Sequence, residues 1–427
     1  MFAPKGLPAL SGSVRTAQVR WKGESEGACG GAPALRGFGF APITVGGGEI
    51  ALPAGVTPAA AFAAGEGVAV CCAGGDVYFC SAAGVQKSSI TFARIPACAR
   101  VYDGAEGFLL SDGTRCALLR GGGLTSSSAP AFCSAAFYGD RLWTAARGEA
   151  GKLRYSAPAD AYNFASARGK GGSIDIPSAY GQIEALLPFG DALLIFRERG
   201  VQRLRARGDE RDFEVSDLFS CARICGETVA DVGGKAVWLA EDGLHAYDGG
   251  DRPFCAAGAE ALRGIDQSGA RAAAEGGLYF LQAKLAESGE PVLAAFAADG
   301  SGASYLRCAA EGLAQSRRAL FVLGGKVCAP TVGGYAEGDA RRVYESEVYE
   351  PFGGRALLRA VRVRASGPFT LTAQSEEGER SVQVRGVGRT ERFALHLPGT
   401  SFSFRLETEA GGQVLGLSAT YARGGVR

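Results

Sequence analysis

Residues 67–84 read GVAVCCAGGDVYFCSAAG, and this stretch decides the fold. Two short apolar runs flank the tripeptide Gly-Gly-Asp, and a further Gly ends the stretch. Glycine reaches positive φ without a Cβ clash, so a glycine pair between apolar runs suits a tight hairpin turn. The stretch therefore predicts a strand, a turn and a second strand.

The same scheme of apolar run, Gly or Asp-Gly turn and apolar run returns along the chain. It recurs in YDGAEGFLLSDGTRCALL (102–119), KAVWLAEDGLHAYDGG (235–250), GGLYFLQAKLAESGEPVLAAFAADG (276–300) and ALFVLGGKVCAPTVGG (319–334). Apolar patterns of helical period are almost absent. Glycine is abundant, at 65 of 427 residues, because each hairpin needs a turn. These observations predict an all-β fold.

The hairpins recur about every 40 to 45 residues, which is the spacing of four-stranded propeller blades. In a propeller each sheet packs both faces against its neighbours, which accounts for strands that are apolar on both sides. We therefore predict a β-propeller of six or seven blades over residues 31–350. An open run of β-meanders and a pair of β-sandwiches are the alternatives.

The two ends of the chain differ from this repeat. LLRAVRVRAS (357–366) and FSFRLETEAG (402–411) alternate strictly, which predicts antiparallel strands with one polar face and a small β-sandwich over residues 353–427. From residue 355 onward there are eleven Arg and six Glu, an excess that suits a solvated face or an acidic partner. Residues 1–30 are predicted to form an arm or a strand that closes the propeller ring.

Composition excludes several classes of protein. Lys and Arg total 45 against 44 Asp and Glu, which argues against wholesale nucleic-acid binding. No stretch approaches the ~20 apolar residues of a membrane helix, and the first residues lack the apolar core of a signal peptide. We therefore expect a soluble protein without a membrane segment. Twelve cysteines, several in apolar runs, are expected to be free and buried in a reducing compartment.

Few residues are candidates for catalysis or metal binding. The only two histidines, His245 and His396, lie at ordinary strand positions. Cys221 and Cys225 are the nearest approach to a metal pair, but no Cys-x-x-Cys accompanies them. Asp175 and Asp191 are candidates for a glycosidase carboxylate pair, although turn or surface roles suit them better.

Two short motifs are also expected to be structural. GEAGKL (148–153) lacks the first Gly and the Ser or Thr of a phosphate loop, so it predicts a hairpin turn. The RGD tripeptide at 207–209 lies in a charged turn. The sequence thus predicts no catalytic residue, no cofactor-binding residue, no metal ligand and no cofactor, and we expect the protein not to be an enzyme.

Residues 141–250 nevertheless carry a distinctive pattern. A strand ending in YSAP is followed by NF and IDIP, then by IEALLPFGDALLIFRER, and later by VWLAEDGLHAYDG. This pattern resembles the propeller-bearing tail hub or nozzle proteins of short-tailed bacteriophages and related phage tail proteins. The matching positions are Tyr155, Ser156, Pro158, Asn163, Phe164, Asp175, Leu186, Pro188, Asp191, Leu194, Phe196, Glu198, Arg199, Trp238, Asp242, Gly243, Tyr247, Asp248 and Gly249.

The resemblance implies a virion structural protein of the tail, assembled in the cytoplasm of the host bacterium. It implies a symmetric oligomeric ring, contacts with adaptor, fibre or receptor-binding proteins, and non-specific contact with DNA in transit. We expect Phe164, Phe189 and Phe196 to fill the core between blades, and Glu198 and Arg199 to lie at a blade edge. A propeller that binds glycans or proteins at the bacterial surface is the alternative, and a propeller hydrolase or lyase is a third.

Overall fold

A computed structural model describes residues 14–18, 38–121, 123–177, 179–208, 210–258, 262, 265–289, 291–297, 303–307, 310–332, 341–346, 348–408 and 413–423. Strands dominate these ranges, and the helices among them are two 3-10 turns, Glu210–Asp212 and Gly226–Thr228. The chain divides into two compact units. The propeller unit comprises residues 37–300 and 307–337, and the C-terminal unit comprises residues 1–36, 301–306 and 338–427.

Four strands precede the first blade, and the blades then follow in chain order. The early strands are β1 (Val14–Gln18), β2 (Phe38–Pro42), β3 (Thr44–Val45) and β4 (Gly48–Glu49). Blade 1 contains β5 (Pro58–Ala64), β6 (Gly67–Cys72), β7 (Asp76–Ser81) and β8 (Gly84–Thr91). Blade 2 contains β9 (Ala97–Tyr102), β10 (Glu106–Ser111), β11 (Cys116–Arg120) and β12 (Gly123–Ser126). Blade 3 contains β13 (Ser134–Tyr138), β14 (Arg141–Ala145), β15 (Lys152–Tyr155) and β16 (Gly172–Asp175).

The remaining blades repeat the arrangement. Blade 4 contains β17 (Ile183–Phe189), β18 (Ala192–Arg197), β19 (Gly200–Ala206) and β20 (Phe213–Ser220). Blade 5 contains β21 (Ala230–Val232), β22 (Lys235–Ala240), β23 (Gly243–Tyr247) and β24 (Phe254–Gly258). Blade 6 contains β25 (Ile265–Glu275), β26 (Leu278–Leu285) and β27 (Pro291–Ala297), and β28 (Ala303–Arg307) follows in the chain. Blade 7 contains β29 (Ala310–Gln315), β30 (Ala319–Leu323) and β31 (Lys326–Val332).

The described residues thus form a seven-bladed propeller of antiparallel sheets. β2 pairs with β31, from Phe38 opposite Val332 to Pro42 opposite Cys328, so a strand from before the first blade completes the last one. This strand lies outside residues 1–30. The one described strand inside that segment, β1, pairs with a strand of the C-terminal unit. The prediction of an all-β propeller followed by a small β-sandwich is confirmed.

The apolar cores lie between neighbouring blades, as the two-sided apolar strands predict. Trp143 of blade 3 shares a buried cluster with Leu193 of blade 4, and Phe196 of blade 4 packs on Trp238 of blade 5 with ring centroids 5.3 Å apart. Phe189 and Phe164 are partly buried against the clusters between blades 4 and 5 and between blades 2 and 3. Burying each such side chain contributes roughly 1.5–3 kcal/mol.

The C-terminal unit is a sandwich of two antiparallel sheets. Its later strands are β32 (Arg341–Glu345), β33 (Ala356–Ser366), β34 (Phe369–Ser375), β35 (Gly378–Val384), β36 (Val387–Gly399), β37 (Phe402–Thr408) and β38 (Gln413–Arg423). One sheet has the order β1-β38-β33-β36, and the other contains β32-β37-β34-β35. Alternating apolar residues such as Val361, Val363 and Leu406 fill the core between the sheets.

Asp112 organises the turn between β10 and β11. Its carboxylate accepts hydrogen bonds from the Thr114 hydroxyl and from the backbone N–H groups of Ala93, Thr114 and Arg115, at 2.7–3.0 Å. Burial raises the pKa of Asp112, but these four hydrogen bonds outweigh burial and lower it to about 2. The turn is thereby tied to the loop that leads into blade 2.

We expect Asp112→Asn to lower the free energy of unfolding by about 2 kcal/mol at neutral pH, because the ionised carboxylate is preferred in the folded state. A carboxyl whose folded pKa is depressed stabilises above its unfolded pKa, and this stabilisation is lost as pH falls from about 4 towards 2. Urea titrations at several pH values measure the difference. Asp175→Asn, at an exposed position, is the control, and a pH-independent deficit in Asp112→Asn would contradict the assignment.

Candidate functional site

The innermost strands of the seven blades enclose a central channel. Residues of β5, β9, β13, β17, β21, β25 and β29 line a cavity of about 1600 Å³. The lining is partly apolar, through residues such as Phe62 and Leu186, and partly charged. Ligand sites are concave and combine an apolar lining with a few polar groups, so the channel is the first candidate site.

Several charged residues lie at one mouth of this channel, and four of them are grouped as a cluster. Arg147 lies in the turn between β14 and β15, Glu184 lies near the start of β17, Glu198 lies in the turn between β18 and β19, and Arg223 lies in the loop before β21. These positions share one end of the propeller, because turns between the second and third strands of a blade lie beside the loops that enter the next blade. We call these four residues the channel-mouth cluster.

Glu184 is the most perturbed member of the cluster. Its side chain is half-buried, and burial raises its pKa, with a further increase from the Glu198 carboxylate. The Arg147 and Arg223 guanidinium groups lower the pKa, and the Glu227 carboxylate raises it further. Within the described ranges, the Glu184 carboxylate has no hydrogen-bond or ion-pair partner. A carboxylate held in this way can accept hydrogen bonds from a ligand's hydroxyl or amino groups, and can donate one when protonated.

The local backbone explains how Glu184 reaches this position. The β17–β18 ladder shifts register between Ile183 and Ala185, so Glu184 is the extra residue of a bulge. Such bulges redirect a side chain. Gly226, in the 3-10 turn before β21, packs so closely that a Cβ there would lie 2.7 Å from the carbonyl oxygen of Glu184. Blade 5 therefore presses directly against the bulge of blade 4.

Arg197 holds the loops beneath the cluster together. It is fully buried, and its Nε donates to the side-chain oxygen of Gln202 at 2.8 Å. Nη1 donates to the carbonyl oxygens of Ala150 and Gly181 at 2.7 and 3.0 Å, and Nη2 donates to that of Ile176 at 2.6 Å. One side chain therefore joins a turn of blade 3, the loop between blades 3 and 4, and a strand of blade 4.

We expect Glu184→Gln to raise the free energy of unfolding at pH 8 by about 0.5 kcal/mol, the scale of a partly exposed electrostatic site. The folded state disfavours ionised Glu184, so the wild type loses stability as pH rises through the raised folded pKa, and the variant does not. Thermal unfolding at pH 8 and pH 4 tests this difference. The gain should vanish at pH 4, and Glu241→Gln, an exposed carboxylate at the same mouth, is the matched control. Equal gains in both variants would contradict the special environment of Glu184.

Residues of the distinctive segment 153–177 make buried hydrogen bonds and close packing contacts with blade 3. Ser156 accepts a hydrogen bond at Oγ from the backbone N–H of Leu142 at 2.8 Å and is fully buried. Arg141 is also buried and donates to the carbonyl oxygens of Ser156 and Lys170 at 2.8 and 2.6 Å. A Cβ on Gly171 would lie 2.6 Å from the carbonyl oxygen of Asn163. The segment folds into a loop that packs against blade 3, which explains a conspicuous motif without a catalytic group.

The other residues singled out in the sequence do not assemble into a site. Asp175 ends β16 at the mouth end of the blade, whereas Asp191 lies in the β17–β18 turn and contacts Arg207 at 3.0 Å. The seven residues of β17, about 20 Å, separate these two ends, so this pair cannot flank one glycosidic bond. His245 stacks on Trp238 and contacts Asp242, and His396 is exposed in the C-terminal unit.

The remaining motifs have structural positions. Residues 148–151 lie in the turn between β14 and β15, and Lys152 and Leu153 begin β15. Of the RGD tripeptide, Asp209 lies outside the described residues. Cys221 and Cys225 are free thiols. Among the described residues, no group of three or more potential ligands could hold a metal ion, and no helix has the length and apolarity of a membrane crossing.

Glu198 and Arg199 lie in the β18–β19 turn and bond to neighbouring loops through their backbones. Their N–H groups donate to the carbonyl oxygens of Gln182 and Tyr180, at 3.1 and 2.9 Å. Sequence reasoning missed three residues of this region, namely Glu184, Arg197 and Gly226. The signal for Arg197 was an arginine that directly follows the apolar run LLIF, where a buried guanidinium can reach loop carbonyls.

The fold defines the class of protein as a seven-bladed β-propeller with a C-terminal β-sandwich. No family model and no curated protein matches the chain. Among solved structures, it is similar to PorZ, an essential bacterial surface component of the type-IX secretion system of Porphyromonas gingivalis, with 11% identity and a TM-score of 0.41. That match covers 81% of this chain and 46% of PorZ, so the chain spans less than half of PorZ's length.

Two further structures are similar at the same level. BamB from Moraxella catarrhalis has 9% identity and a TM-score of 0.39, over 74% of this chain and 97% of BamB. The computationally designed protein Ika8 has 10% identity and a TM-score of 0.39, over 65% of this chain and 96% of Ika8.

Proposed function

We propose that this protein is a structural component of a bacteriophage tail, a hub, nozzle or associated ring protein that assembles as a symmetric oligomer and seats other tail proteins. One observation carries the proposal. The residues that resemble phage tail proteins lie in three consecutive blades, and those with the firmest contacts, such as Ser156 and Phe196, join strands and blades. The distinctive sequence is thus used to build a rigid ring of blades, which suits a load-carrying part of a particle.

The assembly state and the location test this proposal together. Light scattering and negative-stain imaging of the purified chain should give a closed ring, and antibody labelling of virions of the encoding phage should mark the tail. A monomer at micromolar concentration that is also absent from purified virions would refute the structural role. Labelling of the capsid instead of the tail would refute the tail assignment.

A second candidate function is a propeller that binds a surface glycan or protein at the channel mouth. The observation that favours it is the half-buried, unpartnered carboxylate of Glu184, which weakens the folded state at neutral pH. Groups of this kind occur where a ligand supplies the missing partner. A glycan array probed with the wild type, Glu184→Gln and Glu241→Gln tests this function. A ligand lost only in Glu184→Gln supports it, and the absence of any bound glycan argues against it.

A further inference from the structure

The outer face of the β1-β38-β33-β36 sheet carries a concentration of arginines. Arg359, Arg362 and Arg364 are exposed on β33, and Arg392 is exposed on the adjacent strand β36. Their neighbours along β33, Val361 and Val363, point into the sandwich core and are fully buried. Alternation along β33 therefore places Arg362 and Arg364 on the opposite side, and pairing places Arg392 beside Arg362. Arg359 is the extra, exposed residue of a bulge between Leu358 and Ala360. We call these four arginines the arginine face.

Register places two of these charges side by side. Arg362 lies directly opposite Arg392 in the β33–β36 ladder. Directly opposed side chains of neighbouring strands have Cβ atoms about 5 Å apart, and like charges in such a pair are destabilising. Arg364, two residues along the strand and about 7 Å farther, lies opposite Thr390. The sheet thus maintains a repulsive pair in the middle of a basic row.

No carboxylate relieves this repulsion within the described residues. None of the four arginines forms an ion pair there, and the Nε of Arg364 donates only to the carbonyl oxygen of Gly388, at 3.2 Å. Elsewhere in the same unit an arginine does find a carboxylate, since Arg355 contacts Glu377 at 2.7 Å. The unpaired state is therefore a property of this face and does not reflect a shortage of acidic residues in the unit.

The neighbouring groups on the face are hydrogen-bond donors as well. Thr390 lies beside Arg392, and Ser418 of β38 lies opposite Arg362 on its other side. Among the described residues of these strands no Tyr, Trp or Phe side chain is exposed, and Val387 at the start of β36 is the one large apolar side chain that is. Protein partners are held mainly by buried aromatic and apolar anchors, whereas phosphodiester backbones are held by Arg, Lys, Ser and Thr donors. The chemistry of the face therefore favours phosphates over an acidic protein.

We propose that the arginine face binds the phosphodiester backbone of nucleic acid without sequence preference. The guanidinium groups would contact successive phosphates and release counterions, and the phosphates would relieve the repulsion between Arg362 and Arg392. The inference rests on this face alone and does not depend on the tail role.

Fluorescence anisotropy of the full chain with two short DNA duplexes of unrelated sequence tests the proposal. We expect equal affinity for both duplexes, and a log K that falls linearly with log salt between about 50 and 200 mM. The variant Arg362→Gln/Arg364→Gln/Arg392→Gln should bind at least tenfold more weakly at low salt. Its salt slope should be shallower by about 0.9 for each phosphate that the missing arginines no longer neutralise.

The matched control removes the same charge from ion-paired positions, in Arg100→Gln/Arg207→Gln/Arg355→Gln. It should bind like the wild type, and circular dichroism establishes that both variants are folded. Equal weakening in both triple variants, or no binding by the wild type at 50 mM salt, would overturn the proposal. Tighter binding to polyglutamate than to DNA at equal salt would also overturn it, in favour of an acidic protein partner.

Discussion

Arg197→Met is expected to lower the free energy of unfolding by about 3–5 kcal/mol. Methionine approximates the length of the side chain but removes every donor. The carbonyl oxygens of Ala150, Gly181 and Ile176 then lose their bonds from this residue. The bond to Ile176 is fully buried, and an unsatisfied buried group of this kind costs about 1–3 kcal/mol. Burial lowers the pKa of the guanidinium, and the nearby Asp217 carboxylate opposes this. That carboxylate would also lose its link to Arg197 through Gln202.

Urea denaturation followed by tryptophan fluorescence measures this loss, because Trp143 and Trp238 lie in the cores on either side of blade 4. Arg199→Met, two residues away and exposed, is the control and should change the free energy by less than about 0.5 kcal/mol. Arg197→Lys should recover little of the lost free energy of unfolding, because one ammonium group cannot donate to the four acceptors that the planar guanidinium group reaches. A full rescue by lysine would show that charge alone is required there.

Gly312→Ala is expected to prevent the propeller from closing normally, with a loss above about 3 kcal/mol or failure to fold. Gly312 lies on β29 of blade 7, and a Cβ there would be 1.8 Å from the carbonyl oxygen of Ala59 in blade 1. The obstacle is backbone, which cannot rotate away as a side chain can. The innermost strands of the first and last blades meet at this point. The added methyl group would therefore push these two strands apart where the ring closes.

Gly74→Ala is the matched control in the same unit, because a Cβ on Gly74 meets nothing within 4 Å. Expression as soluble protein and the midpoint of urea unfolding compare the two variants. If Gly312→Ala unfolds within about 0.5 kcal/mol of Gly74→Ala, the close approach of blades 1 and 7 is not tightly constrained. A urea midpoint reduced only in Gly312→Ala agrees with the close approach of Gly312 to Ala59.

The hairpins were predictable because two signals coincide in them. The central strands of each blade are apolar on both faces, as in β6 and β22, and glycines at positive φ such as Gly75 and Gly234 mark the turns. The outermost strands lack both signals. β8 (GVQKSSIT) is largely exposed, and its polar sequence is typical of a loop. The residue at which the blade ends therefore cannot be located from the sequence. The sequence therefore predicts six or seven blades, and the strand pairing identifies seven among the described residues.

The channel mouth could not be predicted for a different reason. Glu184 and Arg223 are 39 positions apart, and Arg223 lies in the loop that enters blade 5, so the packing of blade 5 against blade 4 brings them to one opening. Arg197 donates its hydrogen bonds mainly to backbone carbonyl oxygens. Every residue has such a carbonyl, so the sequence does not indicate which ones accept these bonds. The bulge at Glu184 is likewise a matter of register, which neither composition nor periodicity encodes.

The pairing of β2 with β31 has a consequence for how the chain is made. Phe38 leaves the ribosome nearly 300 residues before its partner Val332. At about 5–20 residues per second, β2 waits roughly 15–60 s with its hydrogen-bonding groups unpaired. An unpaired strand edge can form hydrogen bonds with a wrong strand, including the same strand of another nascent chain. The first propeller strand to be synthesised is thus the last to pair with its partner. The yield of correctly folded protein therefore depends on β2 not pairing with any other strand during that interval.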